Sequence, residues 1–209
     1  MWSLFKILKG SKGYTLTEMT AVVATAGILT AVMLPVAVSQ VQQGRITAAG
    51  GDLSAISSAV SSLLRDTGDY PMRSGPKNTF DSRYAFTLLR STGPDGIVVA
   101  EPDISILGTI TSKGTFEPHF FSNSVEYSTV GDQQWRGPYI SKRGFDPWGH
   151  SYLIYLEGVR EAANPDNLTH TTLKNIIVIS AGANGVVETA PTDNSPKGDD
   201  IITILGRRT

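Results

Sequence analysis

The sequence predicts an α+β fold, in which one long N-terminal helix precedes a small antiparallel β-sheet domain. Residues 19–44 contain no charged side chain, and residues 53–64 place apolar side chains at helical spacing. The C-terminal third contains short β-branched runs bounded by turn residues. With 209 residues, no cysteine, and 18 basic against 19 acidic side chains, the chain has no disulfide and no basic run suited to nucleic acid.

The first apolar segment has the length and composition of a membrane span. Residues 21–38 are apolar on all sides apart from two threonines. A helix that is hydrophobic all round lies in a membrane or deep in a core, and about 20 such residues cross a bilayer. Lys6, Lys9 and Lys12 precede it with no acidic residue among them. By the positive-inside rule, this end stays in the cytoplasm and the chain after Arg45 is exported.

Three interpretations of this segment compete. It is a secretory signal peptide cut near residues 37–39, a plain signal anchor, or a helix retained after cleavage behind Gly13. The carboxylate of Glu18 favours the third, because an unpaired charge at the start of an apolar span costs a few kcal/mol. Cleavage after Gly13 would create an α-amino group on Tyr14, one helical turn away. That amine could pair with Glu18 of the same or a neighbouring subunit.

The stretch KGYTLTE at residues 12–18 resembles the class III signal of type IV pilins and type II secretion pseudopilins. In that family a glycine, an aromatic residue (usually Phe, here Tyr14), Thr, Leu, any residue and Glu lead into an apolar helix. The resemblance implies cleavage after Gly13 by a membrane prepilin peptidase, methylation of the new amine, and filament assembly through Glu18. Pro35 falls where the family's helix carries a proline, which predicts a kink.

The helix is expected to continue to Arg65 as an amphipathic element packed under a domain. Its apolar stripe comprises Leu53, Ile56, Val60, Leu63 and Leu64. Gly44, Gly50 and Gly51 are expected weak points, each costing about 1 kcal/mol against alanine. The sequence DTGDYP at 66–71 should end the helix with a left-handed glycine cap. It is similar to the helix end of the major pseudopilin, the G subunit of type II secretion.

Residues 72–134 give the weakest pattern. A short helix is expected at 84–89, and strands at 96–99 and 124–127. The G-subunit family is much shorter here, so the resemblance implies an insertion, to which it assigns no role.

The similarity resumes in two aromatic motifs. They are WRGPYI at 135–140 and DPWGHSY at 146–152. The second has the residue order of a type I β-turn, and Trp148 offers an apolar body to seat that turn on the core. Residues 153–156 and 176–179 then read as strands, the latter apolar throughout and therefore internal.

The C-terminal segment resembles the pseudopilin ending that folds around a structural calcium ion. The matching stretches are SAGANGV at 180–186 and GDDI at 198–201. The resemblance implies an all-oxygen ligand set, namely Asn184, Asp199, Asp200 and the main-chain carbonyls of Ala181 and Val186. Asn184 replaces the family's Asp, which should weaken affinity, and Glu188 or Asp193 could substitute for the lost charge. Alternatively, residues 184–185 form a simple hairpin turn and residues 199–200 a solvated strand start.

No catalytic constellation is present in the sequence. His119, His150 and His170 are scattered without metal-site spacing, and each is expected at the surface or in a turn. Glu101 and Asp103 are interpreted as loop residues rather than as an acid–base pair. The chain is therefore predicted not to be an enzyme.

The predicted organisation is a leader at 1–13, a membrane and filament-core helix at 14–40, its amphipathic continuation and end at 41–71, the insertion at 72–134 and a β-rich domain at 135–209. The resemblance implies a single-pass inner-membrane subunit with a periplasmic domain. It would polymerise with other pseudopilins, contact the inner-membrane assembly platform of a type II secretion system, and drive export of folded proteins. Two alternatives stay open: a type IV pilus subunit for adhesion, motility or DNA uptake, and a signal-anchored periplasmic binding protein or enzyme that keeps its leader.

Overall fold

The computed structural model describes residues 13–77, 79–96, 98, 101–110, 112–141, 144–163 and 174–206. The chain divides into two compact units, Met1–Gly44 and Arg45–Thr209. The second unit contains all of the β-structure described below.

Helix α1 is the long helix that the sequence predicts. It spans Leu16–Thr67, so it begins two residues after Tyr14 and continues two residues past Arg65. It runs through Pro35 and the three glycines without a break. The kink expected at Pro35 stays a prediction. The left-handed cap is confirmed, because Gly68 has φ +73° and donates its N–H to the Leu64 carbonyl at 2.8 Å.

The described part of the first unit consists of exposed residues. Every residue from 13 to 44 is exposed, although most of them are apolar. By length and composition, α1 can cross a membrane. The apolar surface of this unit thus has no covering from its own chain in the described residues.

A five-stranded sheet forms the centre of the second unit. Its order is β2-β1-β3-β4-β5, with β1 parallel to β2 and the other pairs antiparallel. The strands are β1 Leu88–Arg90, β2 Lys113–Thr115, β3 Leu153–Tyr155, β4 Ile176–Ser180 and β5 Ile201–Gly206. Helix α2, Phe80–Arg83, lies between α1 and β1. The later connections contain a 3₁₀ turn at Ser105–Leu107, α3 at Glu117–Phe120 and α4 at Glu157–Ala163. The α+β class is confirmed, and the sheet departs from the expected antiparallel arrangement only at its β1–β2 end.

The central strands β3 and β4 are buried on both faces of the sheet. Leu89, Ile154 and Val178 point to the face that packs with the buried stripe of α1. Their neighbours along the same strands point the other way, into a second cluster with Leu107 and Val187. Strands buried on both faces read as continuous apolar runs, which is why β3 and β4 could be recognised from sequence.

The region 72–134 departs most from expectation. The helix expected at 84–89 is wrong, because residues 84–87 are turn or loop and β1 begins at Leu88. The strand expected at 124–127 is also wrong, since those residues form a turn and a loop. Part of the strand expected at 96–99 lies outside the described residues. A short apolar run such as FTLL cannot be assigned to helix or strand by periodicity.

This region is an integral part of the sheet. It supplies β1 and β2, and Phe116 and Phe120 from it are buried in the core beside α1.

Candidate functional site

The first candidate site is the N-terminal end of α1, where processing is expected. Gly13 is exposed, and Tyr14 is 81% exposed. Both precede the helix, so the peptide bond between them lies outside regular structure. The backbone between these two residues is therefore exposed.

Glu18 has a partner within its own helix. Its Oε2 accepts hydrogen bonds from the Thr15 N–H at 2.8 Å and the Thr15 hydroxyl at 2.9 Å, and the Glu18 N–H donates to Thr15 Oγ1 at 3.2 Å. This is a capping box, in which the residue before the helix and the third helical residue satisfy each other's backbone amides.

The capping box corrects the argument that only a processed Tyr14 amine could provide Glu18 with a partner. The signal was present in the sequence as Thr-x-x-Glu directly before the apolar run, and it was missed. Only Oε2 takes part in these bonds, so Oε1 is still available for a charge on another group. Capping and charge pairing are therefore compatible roles.

The motif at 146–152 folds as the predicted β-turn. The Gly149 N–H donates to the Asp146 carbonyl at 2.9 Å. The buried Asp146 carboxylate accepts from the N–H groups of Trp148 and His150 at 3.1 and 2.8 Å, and from the Ser180 hydroxyl at 2.7 Å. The carboxylate thus fastens the turn to the end of β4. Trp148 itself is only partly buried.

Each aromatic motif contains a tyrosine that donates a hydrogen bond to a carboxylate of α1. Tyr152 donates to Asp52 at 2.7 Å, and Tyr139 donates to Asp66 at 3.2 Å. A hydrogen bond to a charged group is stronger than one between neutral groups. The two motifs therefore hold the second half of α1 against the domain.

The C-terminal loop is organised by its acidic side chains. Asp199 Oδ2 accepts from the N–H groups of Ala183 and Asn184 at 2.6 and 3.0 Å. Gly182 has φ +64°, and a Cβ there would clash with Asp199, so the loop requires glycine at this position. Asn184 Oδ1 accepts from the Val186 N–H at 2.7 Å.

Asp200 is buried. One alternative from the sequence was that residues 199–200 form a solvated strand start. Asp200 is 5% exposed, and its Oδ2 accepts from the N–H groups of Glu188 and Thr189 at 2.8 and 2.7 Å. Its Oδ1 is buried with no described hydrogen-bond partner. Burial raises the pKa of the Asp200 carboxyl. An ionised carboxylate with one unpartnered oxygen in such a place favours a nearby cation.

The donor chemistry of this loop fits calcium, because Asn184, Glu188, Asp199 and Asp200 all offer side-chain oxygens. Glu188 lies beside Asn184, whose Nδ2 donates to it at 3.3 Å, and the Asp199 N–H donates to the same Glu188 oxygen at 3.3 Å. Asp193 is engaged elsewhere, by the Ala190 N–H at 3.0 Å. Among the described residues, no three His, Cys, Asp or Glu side chains are gathered closely enough to hold a metal. Calcium would therefore draw its remaining ligands from main-chain carbonyls and Asn184.

The histidines differ from the sequence expectation in one case. His119 lies in α3 and is 0% exposed, so its expected surface position is wrong. Its Nδ1 lies 2.8 Å from the Tyr127 hydroxyl, and burial lowers the pKa of His119 to about 3. His150 is half-buried beside the Gly182 carbonyl at 3.1 Å. His170 lies outside the described residues.

Glu101 and Asp103 both make contacts that stabilise the fold. Glu101 accepts from Arg90 at 2.9 Å and from Lys113 at 2.6 Å, which ties β1 to β2. The backbone of Asp103 pairs with Val186 in an isolated parallel bridge. Glu101 thus joins two strands of the region 72–134, and Asp103 connects that region to the rest of the sheet domain.

Comparison with known proteins gives a partial relationship. The chain is 39% identical over 59 residues to the "Type II secretion system core protein G" of Pseudomonas aeruginosa. The matched stretch covers 28% of this chain and 42% of that relative, so it spans less than half of the relative's length. No family model matches the chain, and no solved structure matches it. Part of the chain is thus similar to a pseudopilin-like secretion protein.

Proposed function

We propose that this chain is a structural, non-enzymatic subunit of a type II secretion pseudopilus. The first half of α1 anchors it in the inner membrane, and the sheet domain stands in the periplasm. Subunits then associate through their N-terminal helices into a filament that drives export of folded proteins. The observation that carries this proposal is the apolar segment of α1, whose residues are exposed from Tyr14 to Gly44.

The exposed segment needs a covering that its own chain does not supply in the described residues. Side chains such as Leu29 and Val32 are 61% and 68% exposed. Contiguous apolar surface of this kind marks contact with a membrane or with partner proteins. A pseudopilin uses both in turn, lipid before assembly and neighbouring helices after it. The partial similarity to a type II secretion core protein supports this reading over a plain anchor.

Maturation is the second part of the proposal. A prepilin peptidase cuts after Gly13, and the Tyr14 amine is methylated. Mass spectrometry of the protein purified from membranes reads both changes at once. The expected mass corresponds to a chain beginning at methylated Tyr14. A chain beginning at Met1 would contradict the proposal and support the signal-anchored alternative.

Assembly is the third part, and Glu18 is its test. The carboxylate has two separable roles, capping α1 and pairing with the Tyr14 amine of a neighbouring subunit. Glu18→Gln keeps a side-chain carbonyl that can accept from Thr15, but it removes the charge. Glu18→Ala removes both functions.

We expect both variants to be processed and both to fail in filament incorporation, measured by cross-linking in membranes and by secretion. The control is Ser54→Ala, at an exposed position in the second half of the same helix. If Glu18→Gln assembles normally while Glu18→Ala does not, the residue acts only as a cap and intersubunit pairing is ruled out. Normal secretion by both variants would remove Glu18 from the mechanism.

Calcium is the fourth part. Asn184, Asp199 and Asp200 would hold the ion with the carbonyls of Ala181 and Val186, and the ion would cross-link the two ends of the C-terminal loop. The support is the buried, unpartnered Asp200 Oδ1 together with the all-oxygen donor set.

Chelation with EGTA should then lower the melting temperature of the full chain, and calcium but not magnesium should restore it. Asp199→Asn should weaken the effect, whereas Asp95→Asn should leave it intact. An unchanged melting curve with EGTA, together with no calcium by elemental analysis, would exclude the site.

A further inference from the structure

A cavity of about 320 Å³ lies in the second unit, beside the middle of α1. Asp52 and Ile56 of the helix line one side, and residues of both aromatic motifs, Tyr139 and Tyr152, line another. Its volume is at the lower end of the range for small-ligand sites. The proposed filament function makes no use of it.

Among the described residues that line the cavity, the charge is one-sided. Asp52 is the acidic residue in its lining, and the described lining contains no lysine, arginine or histidine. The Asp52 carboxylate is partly buried and accepts from Tyr152 through Oδ2 at 2.7 Å. Its Oδ1 takes no part in that bond. A half-buried carboxylate next to an apolar space favours a cation as its neighbour.

Aromatic rings form much of the remaining wall. Phe116, Phe121 and Phe145 line the cavity with the two tyrosines. Aromatic faces attract ammonium and guanidinium groups, most strongly where water is excluded. The same rings accommodate the methylene groups that carry such a charge.

A further polar group in the lining has no partner. Thr92 is 2% exposed, and its Oγ1 is buried without a hydrogen-bond partner in the described part of the chain. Buried hydroxyls are usually satisfied, so an unsatisfied one beside a cavity suggests a ligand or water there. A hydroxyl can accept a hydrogen bond from an N–H donor.

We propose that this cavity binds an organic cation, an alkylammonium or alkylguanidinium group, with Asp52 as its counter-charge. The aromatic rings surround the alkyl stem, and Thr92 accepts from the charged head. A divalent metal is the poorer fit, because the described lining has one carboxylate and much of its wall is aromatic rather than oxygen-bearing. An anion is repelled by Asp52. A neutral apolar molecule leaves Asp52 without a counter-charge, so it serves as the control ligand.

Such a charged group can belong to a free small molecule or to a lysine or arginine side chain of a bound protein. The chain also contains two cations of its own close in sequence, Lys142 and Arg143, between the lining residues Ser141 and Gly144. Both lie outside the described residues. The experiment below distinguishes a free small molecule, a side chain of a bound protein, and the chain's own Lys142 or Arg143 as the occupant.

Isothermal titration of the full chain in a non-ionic detergent is the test. The probes are n-butylguanidinium, n-butylammonium, Nα-acetyl-arginine amide and the neutral n-butanol. We expect the butyl cations to bind at least about tenfold more tightly than n-butanol. If the acetylated arginine amide binds as tightly as butylguanidinium, a protein side chain is the natural occupant, and if only the butyl cations bind, it is a free small molecule.

The variant Asp52→Asn should weaken cation binding at least about tenfold without changing n-butanol binding. The asparagine still accepts from Tyr152, so the fold is kept. Asp95→Asn, outside the cavity, is the matched control. Should Asp52→Asn fail to fold, Phe145→Leu keeps the apolar volume, removes an aromatic face and should weaken cation binding several-fold.

Three results would overturn the proposal. They are equal binding of n-butanol and the cations, unchanged binding in Asp52→Asn, or no cation binding up to about 10 mM. Binding that appears only after Lys142→Ala and Arg143→Ala would assign the cavity to the chain's own basic side chain and equally exclude an external ligand. None of these outcomes depends on filament assembly, because the protein is measured in detergent.

Discussion

The two halves of α1 share one helical backbone but have opposite surroundings. From Tyr14 to Gly44 every residue is exposed, and the sequence is apolar on all sides. From Ala49 onward one stripe is buried, including Leu53 and Leu63 at 0% exposure, while serines occupy much of the other side. A helix that is apolar all round requires a partner or a membrane, whereas an amphipathic helix requires only its own domain.

The difference separates the roles of the two halves. Substitutions in the second half should change the stability of the sheet domain. Substitutions in the first half should change membrane insertion or assembly and leave the domain's unfolding intact. The predictions below test that separation, beginning with the largest effect.

Leu63→Ala should lower the free energy of unfolding by about 2–5 kcal/mol, because it leaves a cavity in a fully buried position. Leu29→Ala removes the same atoms from a side chain that is 61% exposed and should change it by less than about 0.5 kcal/mol. Urea unfolding of the full chain in detergent, followed by fluorescence of Trp135 and Trp148, measures both. Equal effects of the two variants would contradict the separation.

His119→Phe should remove a pH dependence from the domain. Burial lowers the pKa of His119 from 6.5 to about 3, so the unfolded chain binds the proton more readily than the folded chain. Stability contributed by the neutral imidazole is present above pH 6.5 and is lost as the pH falls toward 3, by up to about 1.4 kcal/mol per unit.

Between pH 6 and pH 4, stability should therefore fall by about 2 kcal/mol more in the wild type than in His119→Phe. Only the slopes are compared, since phenylalanine also removes the contact with Tyr127. Parallel slopes would show that His119 titrates as an exposed group.

Tyr152→Phe should cost about 1 kcal/mol, because it removes the hydrogen bond that fastens Asp52 of α1 to the domain. Tyr84→Phe is the control, since no hydrogen bond is described for the Tyr84 hydroxyl. Melting temperatures of the two variants give the comparison. If Tyr84→Phe is as costly as Tyr152→Phe, the bond to Asp52 contributes nothing specific.

Gly51→Ala should have the smallest effect and the opposite sign. The residue is exposed within α1, and a Cβ there meets nothing within 4 Å, so alanine should stabilise by about 0.5–1 kcal/mol. Gly68→Ala is the contrasting variant and should destabilise, because its φ of +73° disfavours any side chain. A destabilising Gly51→Ala in the purified protein would indicate that the glycine has a contact beyond the described residues.

The sequence predicted the elements whose patterns are long or distinctive. Helix α1, its glycine cap, the turn at 146–149 and strands β3 and β4 all follow from periodicity or turn chemistry. Strand β2 is Lys-Gly-Thr and has no apolar pattern, and β1 begins in the run FTLL, which reads equally well as helix. Such strands are set by pairing with distant partners, so local pattern could not identify them.

The site shows the same limit. Tyr152 bonds to Asp52 across 100 positions of the chain, and Tyr139 bonds to Asp66 across 73. Local sequence spacing cannot predict contacts between residues this far apart. His119 is buried through tertiary packing that an isolated histidine does not signal. The capping box of Thr15 and Glu18 is different, because both residues lie within one short motif and the contact could have been predicted from sequence.

The pairing of β1 with β3 has a consequence for any shortened form of the chain. Leu88–Arg90 covers the hydrogen-bonding edge of Leu153–Tyr155, which is apolar and fully buried. A chain lacking residues 72–134 would present that edge bare, with no charge or proline to protect it. Bare apolar edges recruit strands from other molecules. Such a chain should therefore be prone to aggregation through this edge, which residues 72–134 prevent in the full chain.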